Sequence, residues 1–270
     1  MTTRFLLACD MDGTLFPVRR DPRHPRAVIR FQRLLATRPD LVLAYVTGRS
    51  LLLAQQAIEE WHLPWPDFLC TDVGTAIHRR YGDRWQEDGR YRQLMTDRMC
   101  GLTGDDVREL LEGTRYLEPQ DPSRQSPFKA SYELPSGPVG SRTAEWARRS
   151  LQDLGYDLSF VLSHDVYGHR LLLDILPREV DKGTAVDYLQ GCLGLADEQV
   201  VYCGDGLNDL GAMQGNHRVV LPANADPRLR RALREAGCFG GDRPRCLLSQ
   251  LPHLWGVLDG CRHFGIDAEQ

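Results

Sequence analysis

The chain has 270 residues, 42% of them hydrophobic and 26% charged, which is the make-up of a folded globular protein and excludes a disordered one. Its 33 Lys+Arg against 37 Asp+Glu give a formal charge of -4, so the basic excess of a general nucleic-acid binder is missing. The longest wholly apolar runs, such as Leu41 to Val46, fall far short of the roughly 20 residues of a membrane-spanning helix.

In chain order, Phe5 to Cys9 predicts a strand, and as an apolar segment followed at once by Asp10 it is too short for a secretory signal. A loop rich in Pro and Arg (17–26) leads to a helix over Val28 to Ala36. Leu41 to Val46 predicts a buried strand, Ser50 the cap of a helix running to Trp61, and Phe68 to Thr71 a third strand that turns at Val73-Gly74. This alternation argues a parallel sheet with helices on both faces. The pattern then changes: one long helix at 90–113, a Pro-rich stretch, an alternating strand at Lys129 to Leu134, and a helix at Thr143 to Leu154. Ser159 to Ser163 and His169 to Ile175 predict strands paired about a turn at 164–168. Alternation resumes with a helix over Lys182 to Leu193, a strand at Gln199 to Cys203, a short helix at Asp209 to Gln214 and a strand at Val219 to Leu221. Asp226 predicts the cap of a basic helix at Arg228 to Ala236, and Pro244 to Phe264 reads as largely helical. The economical organisation is one α/β parallel-sheet core built from residues 1–79 and 179–270, with an α+β domain inserted at 80–178.

Eight cysteines, at 9, 70, 100, 192, 203, 238, 246 and 261, include no C-x-x-C pair. They read as reduced structural thiols of a cytoplasmic protein.

Ligands of open parallel sheets bind beyond the carboxyl ends of the strands. Four polar clusters fall there: Asp10-Met11-Asp12-Gly13-Thr14-Leu15, Thr47-Gly48-Arg49, Asp181-Lys182-Gly183, and Gly204-Asp205-Gly206-Leu207-Asn208-Asp209. Asp10, Asp205 and Asp209 offer the carboxylate oxygens that Mg2+ prefers. Thr47, Lys182 and Asn208 offer a hydroxyl, a cation and an amide for a phosphate, and the start of the Lys182 helix adds N–H groups and a positive dipole end. Two carboxylates two residues apart can divide nucleophilic attack and proton transfer.

These motifs resemble those of the haloacid dehalogenase superfamily, with a Rossmann-like core and a large α/β cap inserted between the second and third motifs. The resemblance implies Asp10 as nucleophile, through an aspartyl-phosphate, and Asp12 as general acid/base. It implies Mg2+ held by Asp10, the Asp12 backbone carbonyl and Asp205, with Asp209 orienting Lys182 or a metal-bound water. It places the phosphate on Thr47, Gly48, Lys182 and Asn208. Asp at position 12 favours phosphatases and mutases over ion-pumping ATPases. A narrower likeness, to sucrose-phosphate phosphatases and bacterial phosphatases of other glycosyl phosphates, rests on Trp65-Pro66-Asp67-Phe68, Val73-Gly74-Thr75-Ala76-Ile77, the run Gln125 to Leu134, and Leu173-Asp174-Ile175-Leu176-Pro177. Thr75-Ala76 stands where that family more often has Thr-Glu.

A disaccharide phosphate needs hydroxyl partners. Gln125, Lys129, Ser131, Tyr132 and Asp174 are the expected ones, Arg49 is expected either to contact substrate or to support the Thr47 loop, and His164 and His169 are read as structural. The reading is a Mg2+-dependent phosphatase of sucrose 6-phosphate, with mannosylfructose phosphate and glucosylglycerol phosphate next. Its alternatives are a broad sugar or nucleotide phosphatase, a phosphomutase, and a docking partner of a glycosyltransferase. The expected assembly is a monomer or small homo-oligomer.

Overall fold

The structure, a computed structural model, describes residues 4–164, 169–240 and 245–267. Its elements in chain order are β1 (Phe5–Cys9), α1 (His24–Thr37), β2 (Leu41–Val46), α2 (Leu51–Glu60), β3 (Phe68–Thr71), β4 (Ala76–Tyr81), β5 (Arg84–Glu87), α3 (Gly89–Arg98), α4 (Gly104–Leu110), β6 (Glu118–Pro119), β7 (Ala130–Pro135), α5 (Pro138–Asp153), β8 (Ser159–His164), β9 (Arg170–Leu176), α6 (Lys182–Leu193), β10 (Val200–Cys203), α7 (Leu210–Gln214), β11 (Arg218–Leu221), α8 (Pro227–Glu235), β12 (Cys246–Leu248) and α9 (His253–His263).

The strands form two sheets. The larger runs β12-β11-β10-β1-β2-β3-β4-β5. It is parallel from β12 to β3 and antiparallel from β3 to β5. The smaller is the antiparallel sheet β6-β7-β9-β8. The central parallel strands are apolar on both faces because helices cover both. Leu7 and Cys9 of β1 pack with α1, α2 and α9 through Phe31, Ile58 and Val257. Leu6 and Ala8 point the other way, into the cluster that holds Val186 of α6, Met213 of α7 and Leu229 of α8. On the smaller sheet, Ala130, Tyr132, Leu134, Leu173 and Ile175 turn toward α3, α4 and α5 and pack with Met95, Val107 and Ala147.

Several local expectations need correction. The single helix at 90–113 is two, because Cys100 (φ 57°) and Gly101 (φ 80°) take left-handed backbone that no α-helix tolerates. Ser50 occupies the N-cap position of α2, but its side chain makes no capping bond. β4 and β5 were not foreseen, and they carry the larger sheet to Glu87, past residue 80 where the insertion was placed. The segment to Phe264 is not wholly helical, since Cys246–Leu248 adds an edge strand beside β11. Residues 165–168 of the predicted turn at 164–168, and Pro244, lie outside the described residues. Among the described residues, no helix is long and apolar enough to cross a membrane. All eight cysteines are free, with Cys100 and Cys192 exposed and the rest buried.

Candidate active site

β1 ends by delivering Asp10 to the carboxyl edge of the larger sheet. The Asp10 N–H donates to the carbonyl of Cys203 on β10 at 2.8 Å, which fixes the residue where the two strands diverge. Asp10 is 5% exposed. Its Oδ1 accepts from Lys182 Nζ at 2.6 Å. The same ammonium donates to Asp209 Oδ1 at 2.7 Å. Asp209 is fully engaged: Tyr202 OH donates to Oδ1 at 2.8 Å, and the N–H groups of Asp205 and Gly206 donate to Oδ2 at 3.0 and 2.9 Å. A carboxylate with four donors is a fixture that aims Lys182 and closes the 204–209 loop.

Lys182 opens α6 and is wholly buried. Burial alone would strip its proton, but the charges of Asp10 and Asp209 reverse that and hold it protonated. The α6 N-terminus is not the open anion site its sequence suggested. Asp181 caps it, accepting from Gly183 N at 2.7 Å and Thr184 N at 3.2 Å, so those donors are already spent. What α6 gives the site is the lysine.

Asp205 lies across from Asp10. Thr14 Oγ1 donates to its Oδ1 at 2.7 Å and Asn224 Nδ2 to its Oδ2 at 3.1 Å. Burial pushes its carboxyl up to about 7, with the Asp209 charge adding to the rise and the Thr14 bond opposing it. Asp10 is raised well above the carboxylate range for the same first reason, with Lys182 opposing. Gly13 (φ 83°) passes so close that any Cβ there would strike the Asp205 carboxylate.

Asp12 stands nearer the opening and both its oxygens are gripped by one guanidinium. Arg49 Nε donates to Oδ2 at 2.7 Å and a terminal Arg49 nitrogen to Oδ1 at 2.6 Å. Arg49 also lies over the Phe16 ring, which stacks on Trp61. Thr47 is buried at the end of β2, its hydroxyl accepting from Arg49 N at 3.2 Å. Asn208 sits half-buried in the single 3-10 turn Leu207–Asp209.

The smaller sheet places its predicted residues unequally. Lys129 reaches the core, donating to the Gly48 carbonyl at 3.0 Å. Ser131 donates to Asp174 Oδ1 at 2.5 Å. Gln125 is occupied with its own sheet: its Oε1 accepts from Ser131 N and its Nε2 donates to Ser131 O, both at 2.8 Å. Tyr132 points to the opposite face of β7 from Ser131 and is 1% exposed among the helices, so the structure does not bring it to the other site residues. His164 meets Arg228 of α8 through Nδ1 at 3.4 Å.

Sequence reasoning missed Thr14, Tyr202, Asn224 and His253. Asn224 donates to the Gly13 carbonyl at 2.9 Å as well as to Asp205, and His253 braces both, its N–H donating to Asn224 Oδ1 at 2.8 Å and its Nδ1 lying 2.6 Å from Gly13 O. One signal could have found Asn224: it follows β11, another parallel strand, at the same edge.

Oxygens of Asp10, Asp205 and Asp209 lie within 4.8 Å of one another. Three carboxylates crowd round one ammonium there, and burial first, then their mutual charge, raises Asp10 and Asp205. Such a hard-oxygen set suits a divalent cation, with Asp10 and Asp205 as its side-chain holders because the acceptors of Asp209 are taken.

Residues 3–265 match the sequence pattern of a family described as sucrose-6F-phosphate phosphohydrolase. The sucrose-phosphatase of Synechocystis sp. PCC6803, solved in complex with sucrose and phosphate, is similar with a TM-score of 0.80 and 28% identity, over 98% of this chain and 99% of that one. The mannosylfructose-phosphate phosphatase of Agrobacterium fabrum is 26% identical over 97% of this chain and 97% of its own length. The glucosylglycerol-phosphate synthase of Pseudomonas anguilliseptica is 30% identical over 98% of this chain. The chain spans less than two thirds of several curated relatives, at 62%, 31% and 60% of the length of three of them.

Proposed function

We infer, from a chain that belongs to the sucrose-6F-phosphate phosphohydrolase family, a phosphoric monoester hydrolase that releases phosphate from a glycosyl phosphate. The fold is the haloacid dehalogenase one, a largely parallel core with an inserted α+β cap. We place the cap after Glu87 and before α6, since β5 still belongs to the larger sheet. The single observation that carries the activity is the buried triad in which Lys182 bridges Asp10 and Asp209, beside Asp205.

In this reading the phosphate lies between Thr47, Gly48, Lys182 and Asn208. One Asp10 oxygen is fixed by Lys182, and the other attacks phosphorus in line. The bond from phosphorus to the sugar oxygen breaks, and Asp12 gives that oxygen a proton. Water then attacks the phosphoryl group on Asp10 and loses a proton to Asp12, and the bond to Asp10 breaks. The Arg49 fork grips both Asp12 oxygens and orients the carboxyl group. Asp12 brings that proton to the first half and recovers one from water in the second, so the cycle balances. Asp10, Asp205 and the Asp12 carbonyl would hold a Mg2+ ion, which would supply charge stabilisation for the transferring phosphoryl group. Sucrose 6-phosphate is the first-choice substrate, supported by the Synechocystis enzyme's likeness over the whole chain. Mannosylfructose phosphate and glucosylglycerol phosphate follow. The eight unpaired thiols suit a reducing, cytoplasmic setting.

The test is phosphate release from these three compounds, hexose 6-phosphates and nucleotides, with Mg2+ and with chelator. We expect Mg2+-dependent release that favours one glycosyl phosphate, and loss on the order of 10^4-fold or more in Asp10→Asn. No release from any compound by folded protein would overturn the reading.

A further inference from the structure

The cap and the core meet through a buried ion pair that the chemistry above does not use. Lys129 stands just before β7, and its side chain is 2% exposed. Its ammonium donates to the Gly48 carbonyl at 3.0 Å and lies 3.1 Å from Asp72 Oδ1. Asp72 follows β3 in the core, and its side chain is 8% exposed.

The turn that carries Asp72 is unusual. Asp72 (φ 54°), Val73 (φ 61°) and Gly74 (φ 88°) are all left-handed, a region that disfavours the first two, and a β-branched residue most. The strain has a use. It aims the N–H of Asp72 at the Arg49 carbonyl at 2.9 Å and the N–H of Val73 at the Thr47 carbonyl at 3.0 Å. The three successive carbonyls of Thr47, Gly48 and Arg49 are therefore each satisfied. The outer two take their donors from the core turn, and the middle one takes its donor from the cap. With the cap swung away, the Gly48 carbonyl and the Asp72 carboxylate both lose the Lys129 ammonium, and Asp72 is left with the Thr71 side chain. Burial already raises the Asp72 carboxyl, Lys129 opposes the rise, and Asp174 from the cap sheet reinforces it.

We propose that Asp72 and Lys129 form a cap-to-core latch that ties cap closure to the Thr47-Gly48-Arg49 loop. Asp72 is then a positioning residue, touching no substrate, that sets the affinity for substrates bound only under a closed cap. The functional half of this proposal rests on the phosphatase reading, and the latch itself does not.

The experiment uses the full chain and the variants Asp72→Asn, Lys129→Met and the double variant, each checked for cooperative thermal unfolding. Small-angle X-ray scattering without substrate reads closure, and steady-state kinetics on the preferred glycosyl phosphate reads its consequence. Asp72→Asn is expected to increase the radius of gyration and to raise KM about tenfold with kcat within about twofold. Lys129→Met is expected to give the same change in scattering, and the double variant no further change. An unchanged scattering curve in Asp72→Asn, or single effects that simply add in the double variant, would overturn the latch. If the wild-type protein releases no phosphate, the phosphatase reading fails while the scattering comparison still decides the latch.

Discussion

The carboxyl edge of the larger sheet and the open face of the smaller one are both polar, but they are built on opposite plans. At the core edge charged groups from distant parts of the chain converge on one another. Asp10 and Lys182 are 172 residues apart, and Thr14 and Asp205 are 191 apart. On the cap sheet the polar groups are largely uncharged donors and acceptors: Gln125 clamps Ser131 six residues away, and Ser131 in turn donates to Asp174. The core arrangement is fixed before any ligand arrives, which is what nucleophilic and electrostatic catalysis need. The cap arrangement is a set of hydrogen bonds among Gln125, Ser131 and Asp174. On the proposed function, chemistry belongs to the core edge and selection to the cap sheet.

The contrast breaks most visibly at Lys182. In Lys182→Met the buried carboxylates of Asp10 and Asp209 lose their shared counter-charge. Breaking such a pair costs about 3–5 kcal/mol, and urea denaturation of metal-free protein is expected to read a loss of that size. A smaller effect belongs to Asp205. Mg2+ at about 100 times its dissociation constant is expected to stabilise the wild-type protein by about 2.7 kcal/mol through binding linkage. The corresponding rise in melting temperature should vanish in Asp205→Asn. The smallest belongs to Tyr132, whose hydroxyl is buried with no hydrogen-bond partner. Tyr132→Phe removes that unpaired group, so stability should stay level or rise by up to about 1 kcal/mol. Its KM for the glycosyl phosphate should match the wild type, and a KM raised more than about threefold would return Tyr132 to the substrate site.

The same division governs what the sequence disclosed. β1, β2, β3 and β10 announce themselves as apolar runs because both of their faces are covered, and the rule that ligands sit at strand ends then points straight to Asp10, Thr47 and Asp205. The hairpin of β4 and β5 escaped because its residues, His78, Arg79 and Arg80 among them, leave one face half wet and show no apolar run. β12, at three residues, is too short to show a period. Alternation correctly marked β7 as a half-buried strand, but the face assigned to Tyr132 was the wrong one for contact with Lys129 and Ser131. Which face looks inward depends on where α3, α4 and α5 pack, and that is set by contacts across the fold. Asn224 and His253 were hidden for a similar reason: their role exists only through Gly13, at the other end of the chain.

The placement of β1 between β2 and β10 also has a consequence for how the molecule comes into being. During synthesis β1 emerges before β2 and finds it soon after, yet its second edge stays open until the chain past Cys203 has left the ribosome. Contacts of such long separation close slowly, because the loop entropy is lost before the contacts reward it. For that interval an apolar strand end carrying Asp10 waits beside water, with an unpaired edge that invites other chains. Asp10 is made well before Lys182, Asp205 and Asp209, the residues that complete its surroundings.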